Sequence, residues 1–257
     1  MQVLWGAASH AGRVRDLNED AFLARPSIFL VADGMGGHAA GEVASRLAVA
    51  SFAALPQSGL HAEDIDLAIE QANASIVDQG SGSNREGMGT TVTGLAVVEA
   101  GGSEHWIVFN VGDSRVYRYA DERLVQLSVD HSEVEELIGA GQITREQARS
   151  HPRRNIITRS LGTVPAPRAD HWLLPPRHGD VFLICSDGLI DELTDEQISA
   201  VLEARRAPQA MANALVDLAV AAGGRDNITA IVVEVDRAGG GVLGDTVPRP
   251  GAVGRAS

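Results

Sequence analysis

Ile28-Phe29-Leu30-Val31-Ala32 runs into Asp33-Gly34, and Val181-Phe182-Leu183-Ile184-Cys185-Ser186 runs into Asp187-Gly188. Each stretch reads as a buried strand that ends on a carboxylate and turns at a glycine. The pattern recurs in two further forms. Trp106-Ile107-Val108-Phe109 leads through Asn110-Val111-Gly112 to Asp113, and Asp226-Asn227 opens the apolar run from Ile228 to Val235. Four strands with an aspartate at one end can gather four carboxylates at one sheet edge. Such a group repels itself strongly unless a cation sits among it. A metal site is therefore the chemistry these residues predict first.

A second group lies near the N-terminus, in Arg15-Asp16-Leu17-Asn18-Glu19-Asp20. Glu19 and Asp20 are hard oxygen donors of the kind that suits Mg²⁺ or Mn²⁺. The planar guanidinium of Arg15 matches two oxygens of a phosphate. After Asp33, the run Gly34-Met35-Gly36-Gly37 lets the backbone approach a ligand closely, and the Gly34 carbonyl could join Asp33 on one ion. It is not a phosphate-cradling loop, because no Gly-Lys-Ser/Thr follows. Taken singly, each Asp motif is more often a turn or a helix cap. Their joint occurrence at strand ends favours a site. No Gly-x-Ser-x-Gly elbow is present, and the eight histidines show neither His-Glu-x-x-His nor Cys/His spacing, so a serine nucleophile and a zinc site are disfavoured.

The elements that must position these residues can be read from periodicity. Strands are predicted at 28–32, 91–98, 106–111, 116–119, 181–185 and 228–235, rich in β-branched and aromatic residues. Helices are predicted at 41–55, 62–77, 132–140, 144–149, 194–205 and 208–221. Thr194-Asp195-Glu196-Gln197 is a capping-box start, and Pro208 suits a first helical turn. Strands outnumber crossover helices and several follow one another directly. The fold class is therefore α+β, with mostly antiparallel sheets and helices layered outside.

With 257 residues the chain can build one large core, expected over 1–236, and the Gly- and Pro-rich stretch 237–257 reads as a disordered tail. The net charge of −13 argues against nonspecific nucleic-acid binding, which needs basic surface. No apolar run reaches the roughly 20 residues of a membrane helix, and Met1–Gly6 lacks the form of a signal peptide. The lone Cys185 cannot form an internal disulfide and sits in a strand-like run, so it reads as a core residue of a cytoplasmic protein.

Gly12-x-x-Arg15-x-x-Asn18-Glu19-Asp20, Asp33-Gly34-Met35-Gly36-Gly37, Gly89-Thr90-Thr91, Asn110-Val111-Gly112-Asp113-Ser114-Arg115, Asp130-His131-Ser132, Ser186-Asp187-Gly188 and Asp226-Asn227-Ile228-Thr229 follow one another in that order. Together they resemble the metal-dependent protein serine/threonine phosphatases of the PPM, or type-2C, family, and its compact bacterial branch in particular. The resemblance covers about residues 4–236. It implies a four-layer α-β-β-α sandwich of two antiparallel sheets, with a binuclear Mn²⁺ or Mg²⁺ centre at one edge. Asp33 would bridge the two ions, Gly34 would ligate one by its carbonyl, and Asp187 and Asp226 would hold one ion. Asp20 would act mostly through water, with Glu19 beside it. Asp113 and Asp187 would match a weaker third ion. Arg15 would bind the phosphate, and a metal-activated water would attack phosphorus directly.

Phosphorylated Ser/Thr proteins would be the substrates, and the enzyme would reverse a bacterial Ser/Thr kinase, acting as a monomer. Met35 stands where eukaryotic members carry a histidine proposed as general acid. A thioether has no proton to give, so the acid is left open, with His38 nearby in sequence. Residues 131–162 would form a mobile flap carrying Arg153, Arg154 and Arg159. The competing reading is a non-catalytic signalling module on the same fold. A third is a two-metal hydrolase for another phosphoester.

Overall fold

The computed structural model describes residues 1–36, 40–81 and 87–237. Its elements in chain order are β1 (Gln2–His10), β2 (Asp20–Arg25), β3 (Ile28–Met35), α1 (Ala40–Ala53), α2 (Ala62–Gly80), β4 (Gly89–Thr90), β5 (Val92–Ala100), β6 (Ser103–Val111), β7 (Arg115–Ala120), β8 (Arg123–Gln126), α3 (Glu133–Gly139), α4 (Arg145–Arg149), β9 (Asp170–Leu174), β10 (Val181–Cys185), α5 (Asp187–Ile190), α6 (Asp195–Glu203), α7 (Pro208–Ala222) and β11 (Ile228–Arg237). One sheet has the order β1-β11-β10-β7-β8; the other is β2-β3-β5-β6-β9, with β4 added against β3. Every described strand pairing is antiparallel.

The continuous apolar runs are explained by burial on both faces. In β3, Phe29 and Val31 point between the sheets, where they meet Trp106, Val108, Phe182, Ile184 and Val233. Ile28, Leu30 and Ala32 point the other way, onto α1 and α2 through Ala44, Ala48, Ile69 and Ile76. In β10, Phe182 and Ile184 face the inter-sheet core while Val181, Leu183 and Cys185 face α6 and α7. A strand with period-two side chains and a helix layer behind it has no polar face, so the sequence cannot alternate. The result is the expected four-layer α-β-β-α sandwich.

Trp106 anchors the centre, fully buried, with ring centroids 6.4 Å from Phe29 and 5.6 Å from Phe182. Cys185 is buried under α6 and α7, and burial pushes its thiol up to about 12, which suits a packing role and not a nucleophile.

Helix ends follow local rules. Thr194 and Thr144 make capping boxes with Gln197 and Gln147, and Pro208 opens α7. The C-terminus of α1 is closed by Arg25 of β2, which donates to the carbonyls of Phe52, Ala53 and Leu55. Six elements were not predicted: β1, β2, β8 and β9, which are the edge strands of the two sheets, together with the two-residue β4 and the single-turn α5. The last strand reaches Arg237, and the expected tail beyond it lies outside the described residues.

Candidate active site

The loop ends at one edge of the sandwich bring the acidic residues together. Asp20 opens β2 and stands directly opposite Asp33 in the β2–β3 register. Two aspartates facing each other across a ladder repel, so their placement asks for a compensating charge. Asp33 is fixed by its backbone: its N–H donates to Thr91 Oγ1 at 3.0 Å, and its carbonyl accepts from Thr91 N at 2.9 Å and Thr90 Oγ1 at 2.8 Å. That gives the Gly89-Thr90-Thr91 motif a physical role. Gly34 lies against the start of α1, where a β-carbon would sit 2.2 Å from the Gly41 carbonyl oxygen and 2.6 Å from that of Glu19. Only glycine lets these three segments meet.

The other sheet contributes Asp187, the first residue of α5 just beyond β10, and Asp226, just ahead of β11. Asp226 Oδ1 accepts from Asn227 N at 2.9 Å, and its Oδ2 accepts from Arg15 at 2.7 Å. The Arg15 guanidinium is half-exposed, and its pKa is raised by the bond to Asp226 and by the charges of Asp226, Glu19 and Asp33. Arg15 therefore sits at the mouth of the acidic cluster with one face open to solvent.

Asp113 follows β6 and is buried, with Oδ1 unpartnered. Asn110 donates to the carbonyls of Gly112 and Val129, and His131 Nδ1 accepts from Gly112 N at 3.0 Å. That bond leaves Nε2 as the protonated nitrogen of His131, which meets Asp170 at 3.2 Å. Burial lowers the His131 pKa, in keeping with a neutral ring.

The electrostatics are one-sided. Burial and the neighbouring carboxylates push Asp20 up to about 7 and Asp187 up to about 6. Asp33 rises well above the carboxylate range through burial and the charges of Asp20, Asp187 and Asp113. Asp113 does the same through burial, Asp187 and Asp130, with Arg115 pulling the other way. Arg115 itself is committed to Asp130, with three contacts of 2.6–2.9 Å, and to the Tyr117 hydroxyl at 2.9 Å. Protein cations therefore do not neutralise the centre of the cluster.

Among the described residues, no three carboxylate, imidazole or thiol groups already converge as a closed ligand shell. The donor chemistry nonetheless suits divalent cations. Asp20 Oδ1 and Asp113 Oδ1 are buried without a hydrogen bond, the clustered carboxylates raise one another's pKa, and an all-oxygen donor set suits Mg²⁺ or Mn²⁺. Asp20, Asp33, Asp113, Asp187 and Asp226 lie close enough for their charges to act on one another. Glu19 lies at the rim: its backbone is held by Ser45 and Asn227, and a β-carbon on Gly41 would lie 2.9 Å from its Oε1. Met35 pairs with Gly89 in the β3–β4 bridge. His38 lies outside the described residues.

The segment 131–162, expected to form a flap, is closed on itself by the bridge Ser132–Ile157 and joined to the core by the bridge Thr90–Leu161. The structure divides its arginine cluster. Arg153 pairs with Glu133 and Arg159 with Asp170, so both are internal ties. Arg154 lines a groove of about 490 Å³ that runs from Asp113 and Asp187 past Asp191.

Three features went unread in the sequence. Asn227 is buried, accepts from Glu19 N at 2.8 Å, and donates to the carbonyls of Ala11 and Leu17 at 3.0 and 2.8 Å. It holds both ends of the loop that carries Arg15. Ser186 and Thr229 both donate to Asp20. Asp191, one turn beyond Asp187, is the largest charge acting on it. Spacing from Asp187 was the only local signal for Asp191; the other two depend on contacts across the sandwich.

Comparison with known proteins gives a family and a shared fold. The family model for protein phosphatase 2C matches residues 8–218. The serine/threonine protein phosphatase PstP of Mycobacterium tuberculosis is 41% identical over 238 residues, covering 90% of this chain and 45% of the relative. The chain thus spans about half the length of that relative. The serine/threonine phosphatase stp of Listeria monocytogenes is 37% identical, with 88% of this chain and 93% of the relative covered. A crystal structure of the mycobacterial phosphatase superposes with a TM-score of 0.82 at 38% identity, covering 91% of this chain and 99% of that one. A crystal structure of the catalytic domain of a serine/threonine protein phosphatase PstP in complex with two manganese ions superposes with a TM-score of 0.80 at 36% identity, covering 90% of this chain and 97% of that one.

Proposed function

The chain belongs to the protein phosphatase 2C family, and from that premise we propose that it hydrolyses phosphoserine and phosphothreonine in proteins with a pair of Mn²⁺ or Mg²⁺ ions. The proposal includes reversal of a Ser/Thr protein kinase by a monomer in the cytoplasm. The buried thiol of Cys185 supports a reducing compartment. Among the described residues no helix is long and apolar enough to cross a membrane.

The observation that carries the reading is the carboxylate cluster drawn from both sheets with Arg15 at its mouth. Asp33, the Gly34 carbonyl, Asp187 and Asp226 would hold the ions, Asp20 and Glu19 would stand at their margin, and Asp113 with Asp187 would take a third. When bound, such ions supply Lewis-acid charge and acidify water at the site. Arg15 does the substrate work. Its open face binds the non-reacting phosphoryl oxygens and offsets their charge as the bond to the serine or threonine oxygen breaks. Asp226 keeps the guanidinium aimed at the cluster. Thr90, Thr91 and Asn227 keep Asp33 and the Arg15 loop in register. Met35 cannot protonate the leaving oxygen, so that proton comes from another group.

Phosphate release from a phosphothreonine peptide tests the proposal, with and without MnCl₂, for wild type and Asp33→Asn. Activity is expected only with manganese, and it should be largely lost in Asp33→Asn. A wild type as inactive as the variant would sink the reading in favour of a non-catalytic module. A preference for nucleotides or small esters would instead redirect the substrate class.

A further inference from the structure

The polar groups around Asp20 all point one way. Asn18 Oδ1 accepts from Asp20 N at 3.2 Å, which leaves its Nδ2 to donate to Ser9 Oγ at 2.8 Å. An amide nitrogen only donates, so Ser9 Oγ accepts there and gives its own proton onward. The recipient is Thr229 Oγ1, 2.8 Å away, which in turn donates to Asp20 Oδ2 at 2.7 Å. A second arm runs from Thr229 N to Ser186 Oγ at 3.0 Å, and from that hydroxyl to the same Asp20 Oδ2 at 2.8 Å.

Two hydroxyl donors therefore occupy Oδ2. The other oxygen, Oδ1, is buried and has no hydrogen-bond partner. A buried carboxylate oxygen without a donor carries a large desolvation penalty. The donors stand at the end of β10 and in β11, whereas Asp20 belongs to β2 in the opposite sheet. The cradle thus sets the direction of one carboxylate oxygen and also the spacing of the two sheets at the site edge.

We propose that Ser186 and Thr229 are positioning residues for the metal centre: their hydroxyls hold Asp20 Oδ2, so that Oδ1 is the oxygen presented to a divalent cation or its water. The inference rests on the metal-dependent reading above and assigns the Ser of Ser186-Asp187-Gly188 and the Thr of Asp226-Asn227-Ile228-Thr229 a task. Groups that orient ligands from behind shift metal affinity by roughly 10–100-fold, which sets the scale of the test.

The test is calorimetric titration of the full chain with MnCl₂, without substrate. Thr229→Val keeps the β-branched shape and removes the hydroxyl; Ser186→Ala removes the second donor; Thr229→Ser restores a donor. Thr229→Val and Ser186→Ala are expected to weaken manganese binding at one site roughly tenfold. Thr229→Ser should bind as wild type. In an Asp20→Ala background, Thr229→Val should add no further loss, because the hydroxyl then has no carboxylate to aim.

Wild-type manganese affinity in both hydroxyl-deleted variants would overturn the proposal. So would an equal loss in Thr229→Ser, or a loss from Thr229→Val that persists without Asp20, since either makes the hydroxyls a tie between sheets only. A wild type that takes up no manganese would instead fail the metal-dependent reading itself.

Discussion

Asn227→Ala separates the scaffolding of the site from its charges. The side chain is 5% exposed and makes three hydrogen bonds, to Glu19 N, Ala11 O and Leu17 O, at 2.8–3.0 Å. Each is worth about 1 kcal/mol net, so the ceiling on their joint loss is about 3 kcal/mol. The segment from Arg13 to Leu17 is exposed, and water can re-satisfy part of what Asn227 releases. An expected destabilisation of about 2 kcal/mol follows, read by chemical denaturation.

The functional effect is separate. With its two ends untied, the loop no longer holds Arg15 beside Asp226, and a charge-assisted phosphate contact is worth about 1.5–3 kcal/mol. Losing half of it raises KM for a phosphopeptide several-fold while kcat changes less. Asn227→Asp should be worse than alanine. It keeps an acceptor for Glu19 N but sets a carboxylate against two carbonyls and beside Asp226. The reasoning is refuted if Asn227→Ala leaves both stability and KM at wild-type values, or if the aspartate variant is the milder of the two.

Other perturbations follow from the same geometry. At Gly188 a β-carbon would lie 2.0 Å from the Asn227 carbonyl oxygen, so Gly188→Ala should destabilise by about 1–3 kcal/mol or more, against at most about 1 kcal/mol of helix propensity gained; a melting temperature at or above wild type would contradict this. Arg115→Met leaves Asp130 buried with Gln126 as its one remaining side-chain donor among the described residues, and a loss of about 3 kcal/mol is expected in denaturant titration, with an unchanged midpoint as the contrary result. The pH dependence of the metal-free protein has a definite sign. Asp20 and Asp187 titrate near 7 and 6 when folded and near 3.8 when unfolded, so the folded state binds more protons across that window. Stability without metal should therefore fall as pH rises from about 4 to about 7, and added manganese should flatten the slope; melting scans that rise with pH over that range would exclude the carboxylate cluster as drawn.

Much of this molecule is legible in the sequence where the signal is local. β3 and β10 are continuous apolar runs because each is covered on both faces, and the aspartates stand out because each ends such a run. Thr194 and Pro208 mark helix starts through contacts within one turn. The rest is not local. β1 contains Gly6, Ala7 and Ala8, weak strand formers, and is a strand through its nine-residue pairing with β11 at the far end of the chain. Asn227 is visible beside Asp226, but its partner Glu19 lies 208 positions away. Arg153, Arg154 and Arg159 look alike in sequence, and only packing shows that two are tied to Glu133 and Asp170 while one faces the groove. Ser186 and Thr229 gain their task from the approach of the two sheets, which no single motif encodes.

The most direct test is anomalous diffraction at the manganese absorption edge from crystals grown with MnCl₂. Two strong peaks are expected among Asp33, the Gly34 carbonyl, Asp187 and Asp226, with Arg15 facing them from the solvent side. Peaks elsewhere on the surface, or none at that edge in crystals of a protein that still releases phosphate, would contradict a carboxylate-held metal centre.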